Sequence, residues 1–169
     1  MKVKKFVLIV LLLSFCFSYS QVTNEGNPKS WDLNLSTDIE EKILPPFDIQ
    51  SLKDEDSQNE GKSGIPWRFG YSHAVDYGFD DGQWTILENG DRIWRILISS
   101  PGAISLNFIF DDFYMPKGGS LYLYSDDKSD LLGAYTSVQN QDSGMLGTWL
   151  VYGEKVWLEY YEPAEVIGE

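Results

Sequence analysis

Apolar and polar residues alternate along much of the chain from about Ile65 onward, and Gly, Pro, Asn and Asp separate the alternating stretches. A period of two places apolar side chains on one face of a β-strand, whereas a helix needs apolar residues three and four positions apart. The pattern therefore predicts about seven or eight short strands and no long helix in this part. The predicted strands include residues 83–88, 92–98, 104–110, 120–124, 131–136, 146–152 and 156–161.

The first two of these strands are predicted to form a hairpin. An Asn-Gly pair that ends at Gly90 lies between them, and Asn-Gly is the strongest short hairpin signal. Gly90 is therefore expected at positive φ, a conformation that other residues reach at a cost. In the second strand Trp94, Ile96 and Ile98 share one face, which we expect to lie in the core.

A Pro-Gly pair and the tryptophans in the predicted strands are also expected to have structural roles. The Pro-Gly pair after residue 100 is expected to end the second strand, because proline cannot donate to a central ladder. Four tryptophans lie inside strand patterns, where core packing is the usual role of an indole: Trp84, Trp94, Trp149 and Trp157. The structural assignments are Gly90, Trp84, Trp94, Pro101 and Gly102.

The connections between the predicted strands are short. A parallel pair needs a crossover of a dozen or more residues, whereas neighbouring antiparallel strands need only a turn. The predicted fold class is therefore all-β, an antiparallel β-sandwich of jelly-roll type. A small closed barrel is the alternative.

Residues 1–20 have the pattern of a signal peptide. A cationic start is followed by an apolar run, which is shorter than the roughly 20 residues that span a membrane, and small residues precede Gln21. Residues 21–63 are rich in polar and acidic residues and proline, which predicts a flexible, extended acidic arm or linker. Residues 64–163 are predicted as the β-sandwich domain. Residues 164–169 are expected to begin a linker to a missing downstream domain.

Charge limits the kinds of partner. The chain has 13 Lys and Arg against 26 Asp and Glu, a net charge of −13, and loss of the predicted signal peptide removes three of the lysines. Phosphate binding needs clustered cations, so we expect neither nucleic acid nor, after signal cleavage, a membrane as partner. The one cysteine, Cys16, lies in the predicted signal peptide. The predicted location is periplasmic or extracellular, reached by secretion.

Acidic loops raise the question of a metal site. We consider Asp126, Asp127 and Asp130 as candidate calcium ligands, because loop carboxylates bind hard cations. However, the cluster lacks the spacing and central glycine of an EF-hand, and Lys128 lies within it. A solvated turn is the favoured interpretation, and we predict no cofactor, with calcium as the alternative.

A hydrolytic site was weighed and rejected. His73, Asp111 or Asp112, and Ser143 occur in the order of a serine-protease triad. That triad lies between two β-barrels, which need a longer chain, and residues 142–144 have the composition of a turn. We therefore predict no catalytic residue.

Several stretches resemble a known family. They read QWTILENGDRIWRI at 83–96, SSPGAISLNF at 99–108, MPKGGSLYLY at 115–124, LGAYT at 132–136 and LEYYEP at 158–163. In order and spacing they resemble the non-catalytic N-terminal domain of secreted lysyl-endopeptidase-like serine proteases. In that family the domain precedes a trypsin-fold protease.

The resemblance implies a function without catalysis in this chain. It implies a pro-domain or accessory domain of an exported serine endopeptidase precursor, which assists the folding, inhibition or targeting of a downstream or cognate protease domain. The chain stops at Glu169, about where a protease domain would begin, so we expect a truncated precursor. No catalytic residue of the family is carried over, and the chain itself is not expected to be an enzyme.

The aromatic residues suggest an alternative. A jelly roll with exposed aromatic side chains can bind sugars by stacking, and the chain has 6 Trp and 10 Tyr. The alternative function is a stand-alone secreted binding module for carbohydrate or cell-surface glycan. The residues weighed for such a platform are Trp84, Trp94, Trp149, Trp157, Tyr122, Tyr124, Tyr152, Tyr160 and Tyr161.

Overall fold

The structure is a computed structural model that describes residues 24–168 of the 169-residue chain. The predicted signal peptide lies outside the described residues. The described chain is mostly β-structure, as predicted, with two α-helices and two 3₁₀ turns. Within residues 24–168 no helix has the length and apolar character needed to cross a membrane.

Ten strands make up the β-structure of the described residues. They are β1 Glu41–Ile43, β2 Gln83–Ile86, β3 Arg92–Ser99, β4 Ser105–Leu106, β5 Ile109–Phe110, β6 Ser120–Ser125, β7 Leu131–Tyr135, β8 Leu146–Gly147, β9 Val151–Tyr152 and β10 Lys155–Glu162. The helices are α1 Lys29–Asp32 and α2 Ile49–Asn59, and the 3₁₀ turns are Ser137–Gln139 and Ala164–Val166.

Six strands form one large sheet, in the order β1–β3–β10–β6–β7, with β2 also paired to β3. On one side β3 pairs antiparallel with β10 along its whole length. Two strands share the other edge of β3: β2 pairs with residues 92–95 and β1 with residues 97–99. The sheet is open, so the closed barrel considered as the alternative is wrong.

One strand pair departs from the antiparallel prediction. β1 runs parallel to β3, with Glu41 opposite Leu97 and Ile43 opposite Ser99. The sequence between the two strands is long and includes α2, so it can make the crossover that a parallel pair requires. The antiparallel prediction rests on the short connections after residue 83, and β1 lies before them.

Two short ladders, β4–β9 and β5–β8, lie outside the large sheet. They divide what the sequence predicted as single strands over 104–110 and 146–152. The register changes by one residue between the ladders. At the change, the Thr148 hydroxyl accepts from the Phe108 backbone N at 3.0 Å, in place of a strand carbonyl. This is the local disruption expected at a β-bulge.

The main core lies between one face of the large sheet and the short ladders. Trp94, Ile96 and Ile98 of β3 are all in this core, as their shared face predicted. They are joined by apolar residues of β10 and β6. From the ladders and nearby loops come Leu106, Phe108, Phe110, Phe113, Met115, Leu146 and Val151.

The opposite face of the large sheet is also buried. Leu97, Tyr122, Tyr124 and Trp157 form a second apolar cluster there, and residues of the arm, among them Trp31, pack against it. Residues 93–99 of β3 are consequently buried without interruption. The segment predicted as an arm therefore covers this face of the sheet between residues 31 and 39, whereas its Leu44 packs in the main core.

The prediction that the arm is extended is wrong where it forms helices. In α2, an 11-residue helix, the Asp48 carboxylate caps the first turn by accepting from the backbone N of Gln50 and Ser51 at 3.1 and 3.0 Å. The Gln50 amide also donates to Asp54 at 2.8 Å. These local bonds stabilise a helix that has no buried residue and that apolar periodicity therefore did not reveal.

The hairpin between β2 and β3 is tied to the end of the chain. Gly90 has φ of 89°, and Asp91 accepts from the Tyr161 hydroxyl at 2.5 Å and from the Ala164 backbone N at 2.9 Å. Asp91 and burial together raise the pKa of Tyr161 to about 12, with burial the larger cause. A Cβ at Gly90 would lie 3.3 Å from the Ala164 Cβ, so this turn has little room.

Gly90→Val should lower the free energy of unfolding by about 1 kcal/mol or more, because valine is strained at positive φ. Gly70→Val is the matched control, since Gly70 has open space around it and no positive φ. Chemical denaturation of both variants measures the difference. Equal midpoints for Gly90→Val and the wild type would contradict the turn geometry.

Trp94→Ala should cost roughly 3 kcal/mol of unfolding free energy through loss of core packing. The Trp94 side chain is buried, and its Nε1 donates to the Phe79 carbonyl at 2.9 Å. Trp67→Ala, at an exposed tryptophan, should change stability by less than about 0.5 kcal/mol. Thermal unfolding followed by circular dichroism tests the pair, and similar losses for both would place Trp94 outside the core.

Candidate functional site

The carboxylates considered for calcium lie in the turn after β6. One oxygen of Asp127 accepts from the hydroxyls of Ser129 and Ser125, both at 2.7 Å, and from the Ser129 backbone N at 3.0 Å. These hydrogen bonds, led by that of the Ser129 hydroxyl, lower the pKa of Asp127 to about 2. Asp127 thus organises its own turn.

The other two carboxylates also accept from protein donors. Asp126 accepts from Trp157 Nε1 at 2.8 Å. Asp130 accepts from the backbone N of Leu131 at 3.0 Å and of Tyr152 at 2.9 Å. Among residues 24–168, no group of three or more His, Cys, Asp or Glu side chains is arranged to hold a metal ion. The prediction of no cofactor, with calcium at this turn as the alternative, stays a prediction.

The residues weighed as a triad make other contacts. The His73 ring lies 4.9 Å from the ring of Tyr71 and 5.6 Å from that of Phe47, measured between centroids. Its buried Nε2 has no hydrogen-bond partner among the described residues. Ser143 caps its own turn by accepting from the Met145 backbone N at 3.3 Å. Asp111 and Asp112 are exposed in a neighbouring loop.

Most aromatic residues weighed for sugar binding do not form an exposed row. Trp94, Trp157, Tyr122, Tyr124 and Tyr160 are buried. Of the nine residues considered, only Trp149 and Tyr152 are exposed.

An exposed aromatic segment lies at the start of the predicted β-sandwich domain. Residues 65–71 have alternating apolar side chains, of which Trp67 is 92% and Phe69 80% exposed. Across residues 63–77 no backbone–backbone hydrogen bond to another described residue occurs. Arg68 holds the segment against α2 through ion pairs with Glu55 at 2.5 Å and Asp56 at 2.9 Å. We call residues 65–71 the aromatic segment.

A cavity of about 170 Å³ lies between the arm and the second face of the large sheet. We call it the arm cavity. Its lining combines aromatic rings with charged and amide groups: Ser30, Trp31, Asn34, Leu35, Thr37, Arg95, Tyr124, Asp126, Lys128 and Trp157. No local sequence motif predicts this site, because its residues come from the arm, β3, β6, β10 and the turn after β6.

Two buried charges lie beside the arm cavity. Arg95 and Glu159 occupy opposite positions on β3 and β10, and their side chains are only 3% and 1% exposed. Arg95 donates to the Ser36 carbonyl at 2.9 Å. Glu159 accepts from the Ser30 backbone N at 2.9 Å and the Tyr124 hydroxyl at 3.1 Å. The arm thus supplies partners to both charges, as buried charges require.

The aromatic rings form the wall of the arm cavity. Tyr124 stacks on Trp157 with centroids 6.3 Å apart, and Trp31 meets the edge of Tyr124 at 5.1 Å. Burial, with the nearby charge of Glu159, raises the pKa of the Tyr124 hydroxyl well above its ordinary value. The hydroxyl therefore stays protonated and donates to Glu159.

Comparison with known proteins assigns no function to the aromatic segment or to the arm cavity. No protein-family model matches the chain, and no solved structure matches it significantly.

The turn at Asp127 gives a prediction about acid. Because the folded pKa of about 2 lies below the ordinary Asp value of 3.8, ionised Asp127 stabilises the folded state above about pH 4, and this contribution is lost as the pH falls through about 2. Ser129→Ala should raise the pKa of Asp127, as measured by carboxyl ¹³C NMR titration. Ser143→Ala, in another turn, should not change it. A wild-type midpoint near the free Asp value of about 3.9 would contradict the hydrogen bonding described.

Proposed function

We propose that this chain is the non-catalytic pro-domain or accessory domain of an exported serine endopeptidase precursor. It acts by docking on a trypsin-fold protease domain and assisting its folding, inhibition or targeting. The proposal is supported by the resemblance of the chain, from about Trp67 to Pro163, to the N-terminal domains of lysyl-endopeptidase-like proteases. The observation that carries it is the exposed aromatic segment, residues 65–71.

Exposed aromatic residues in one short stretch are typical of protein interfaces. Trp and Tyr are enriched among the residues that contribute most to binding, and contiguous exposed apolar surface is uncommon on a protein that acts alone. The aromatic segment also has backbone groups without strand partners among the described residues. An extended segment of this kind can add as a strand to the edge of another protein's sheet. A protease built of two β-barrels offers such edges.

The rigid part of the fold would present this segment to the partner. We propose that it is a β-sandwich of jelly-roll type, with the large sheet as one layer and the β4–β9 and β5–β8 ladders as the other. The shared core of Trp94, Ile96, Leu106 and Val151 supports two facing layers. Such a domain folds without the protease and can act as its template.

Refolding tests the proposal. The cognate catalytic domain is refolded with and without residues 21–169, and the yield of active enzyme and its activity on a lysyl peptide substrate are measured. We expect the added domain to change the yield or to inhibit the activity. No effect on either quantity would overturn the proposal.

Paired variants locate the docking surface. Trp67→Ser with Phe69→Ser should abolish the effect of the domain without lowering its stability, because both side chains are exposed. Ile104→Ser with Val138→Ser is the matched control, since it removes two exposed apolar side chains elsewhere. An effect retained by the first pair would exclude the aromatic segment as the contact.

The alternative is a secreted module that binds carbohydrate or cell-surface glycan. The exposed side chains of Trp149 and Tyr152 are the remaining basis for it among the residues weighed. A glycan array distinguishes the two functions, because specific binding that is lost in Trp149→Ala favours the glycan module.

A further inference from the structure

We infer that the arm cavity binds a small molecule or peptide end through a carboxylate. The buried side-chain polar atoms of the cavity that lack a partner among the described residues are donors, and they include one on a buried arginine. A carboxylate is the acceptor that satisfies several donors at one place.

The unpartnered donors belong to Arg95 and Trp31. The Nε of Arg95 and the Nε1 of Trp31 are both buried and have no hydrogen-bond partner among the described residues. Both residues line the arm cavity. Because a buried donor without a partner is costly, two such atoms at one cavity indicate a bound acceptor.

Each carboxylate beside the cavity receives at least one hydrogen bond. Both carboxylate oxygens of Glu159 receive hydrogen bonds, from Ser30 and from Tyr124. One oxygen of Asp126 receives the Trp157 Nε1–H. In the buried part of the cavity the side-chain atoms without a partner are therefore donors, which favours a ligand group that accepts hydrogen bonds there.

A second positive group lies at the rim. The Nζ of Lys128 lies 5.3 Å from the centroid of the Trp31 ring, and Lys128 itself lines the cavity. Lys128 and Asn34, also a lining residue, are the two non-glycine residues with positive φ in the described chain, at 61° and 49°. Two residues that line the cavity, Asn34 and Lys128, thus have the left-handed backbone conformation that is uncommon for non-glycine residues.

Size and shape limit the rest of the ligand. A volume of about 170 Å³ accommodates a carboxylate with one ring or a short side chain. The walls formed by Trp31, Tyr124 and Trp157 suit a flat apolar group. Two sources fit this chemistry: a free aromatic carboxylic acid, and the C-terminal carboxylate of a peptide.

Calorimetric titration of the full chain with matched probes tests the inference. Benzoate represents the free acid and Gly-Gly-Phe the peptide end, while benzamide and the C-terminal amide of the same peptide lack the charge. We expect at least one acid to bind saturably and about tenfold or more tighter than its amide. Binding of benzoate alone identifies a free acid as the ligand class, and binding of the peptide alone identifies a peptide end. No saturable binding of either acid up to about 10 mM, or equal binding of acid and amide, would overturn the inference.

Variants place the binding in the arm cavity. Trp31→Phe keeps a ring but removes the unpartnered N–H, and it should weaken acid binding about threefold to tenfold. Trp67→Phe is the matched control at an exposed tryptophan and should bind as the wild type does. Lys128→Ala, at an exposed residue, should weaken binding and reduce its salt dependence. Unchanged affinity in both Trp31→Phe and Lys128→Ala would exclude this cavity as the site.

Discussion

Burial of β3 on both faces is the constraint on which the rest of the structure depends. A strand that is buried on both faces needs a layer of structure packed on each face, and in this chain the two layers come from different parts of the sequence. The short ladders cover the face that carries Trp94, whereas the arm covers the face that carries Leu97. The arm also completes the edge of β3 through β1, so one segment closes both an apolar face and an open strand edge.

The arm-covered face contains charge, and this gives the arm a specific position. Arg95 and Glu159 are removed from water, and each is hydrogen-bonded to a definite backbone group of the arm: Arg95 donates to the Ser36 carbonyl, and Glu159 accepts from the Ser30 backbone N. An arm shifted along the sheet would leave one of these charges without its partner, at a cost that apolar contacts do not impose. These polar contacts thus determine the position of the arm along the sheet. The apolar contacts of Trp31 and Ile39 bury surface but do not select one position.

Local signals made the β-structure predictable, and the arm-cavity site arises from long-range contacts that no local signal reports. The Asn-Gly pair before β3 and the alternation of Trp94, Ile96 and Ile98 are short-range patterns, and the structure agrees with them. The strand β1 has three residues and no clear alternation, and it pairs with a strand more than fifty residues away in sequence. The arm cavity likewise depends on the arm placing Trp31 beside the same face of the sheet as Arg95, which follows only from the complete topology.

The way the arm is attached has a consequence for the integrity of the domain. After Leu44 the chain passes through the wholly exposed stretch of residues 60–72 before it returns as β2. While that connection is intact, the arm behaves as a tethered ligand at an effective concentration on the order of millimolar. A single backbone cut there would turn the fold into a complex of two fragments, whose occupancy depends on total protein concentration. Dilution would then uncover Trp157 and the Leu97–Ser99 edge together, so proteolysis far from the core would control whether this face of the sheet is open.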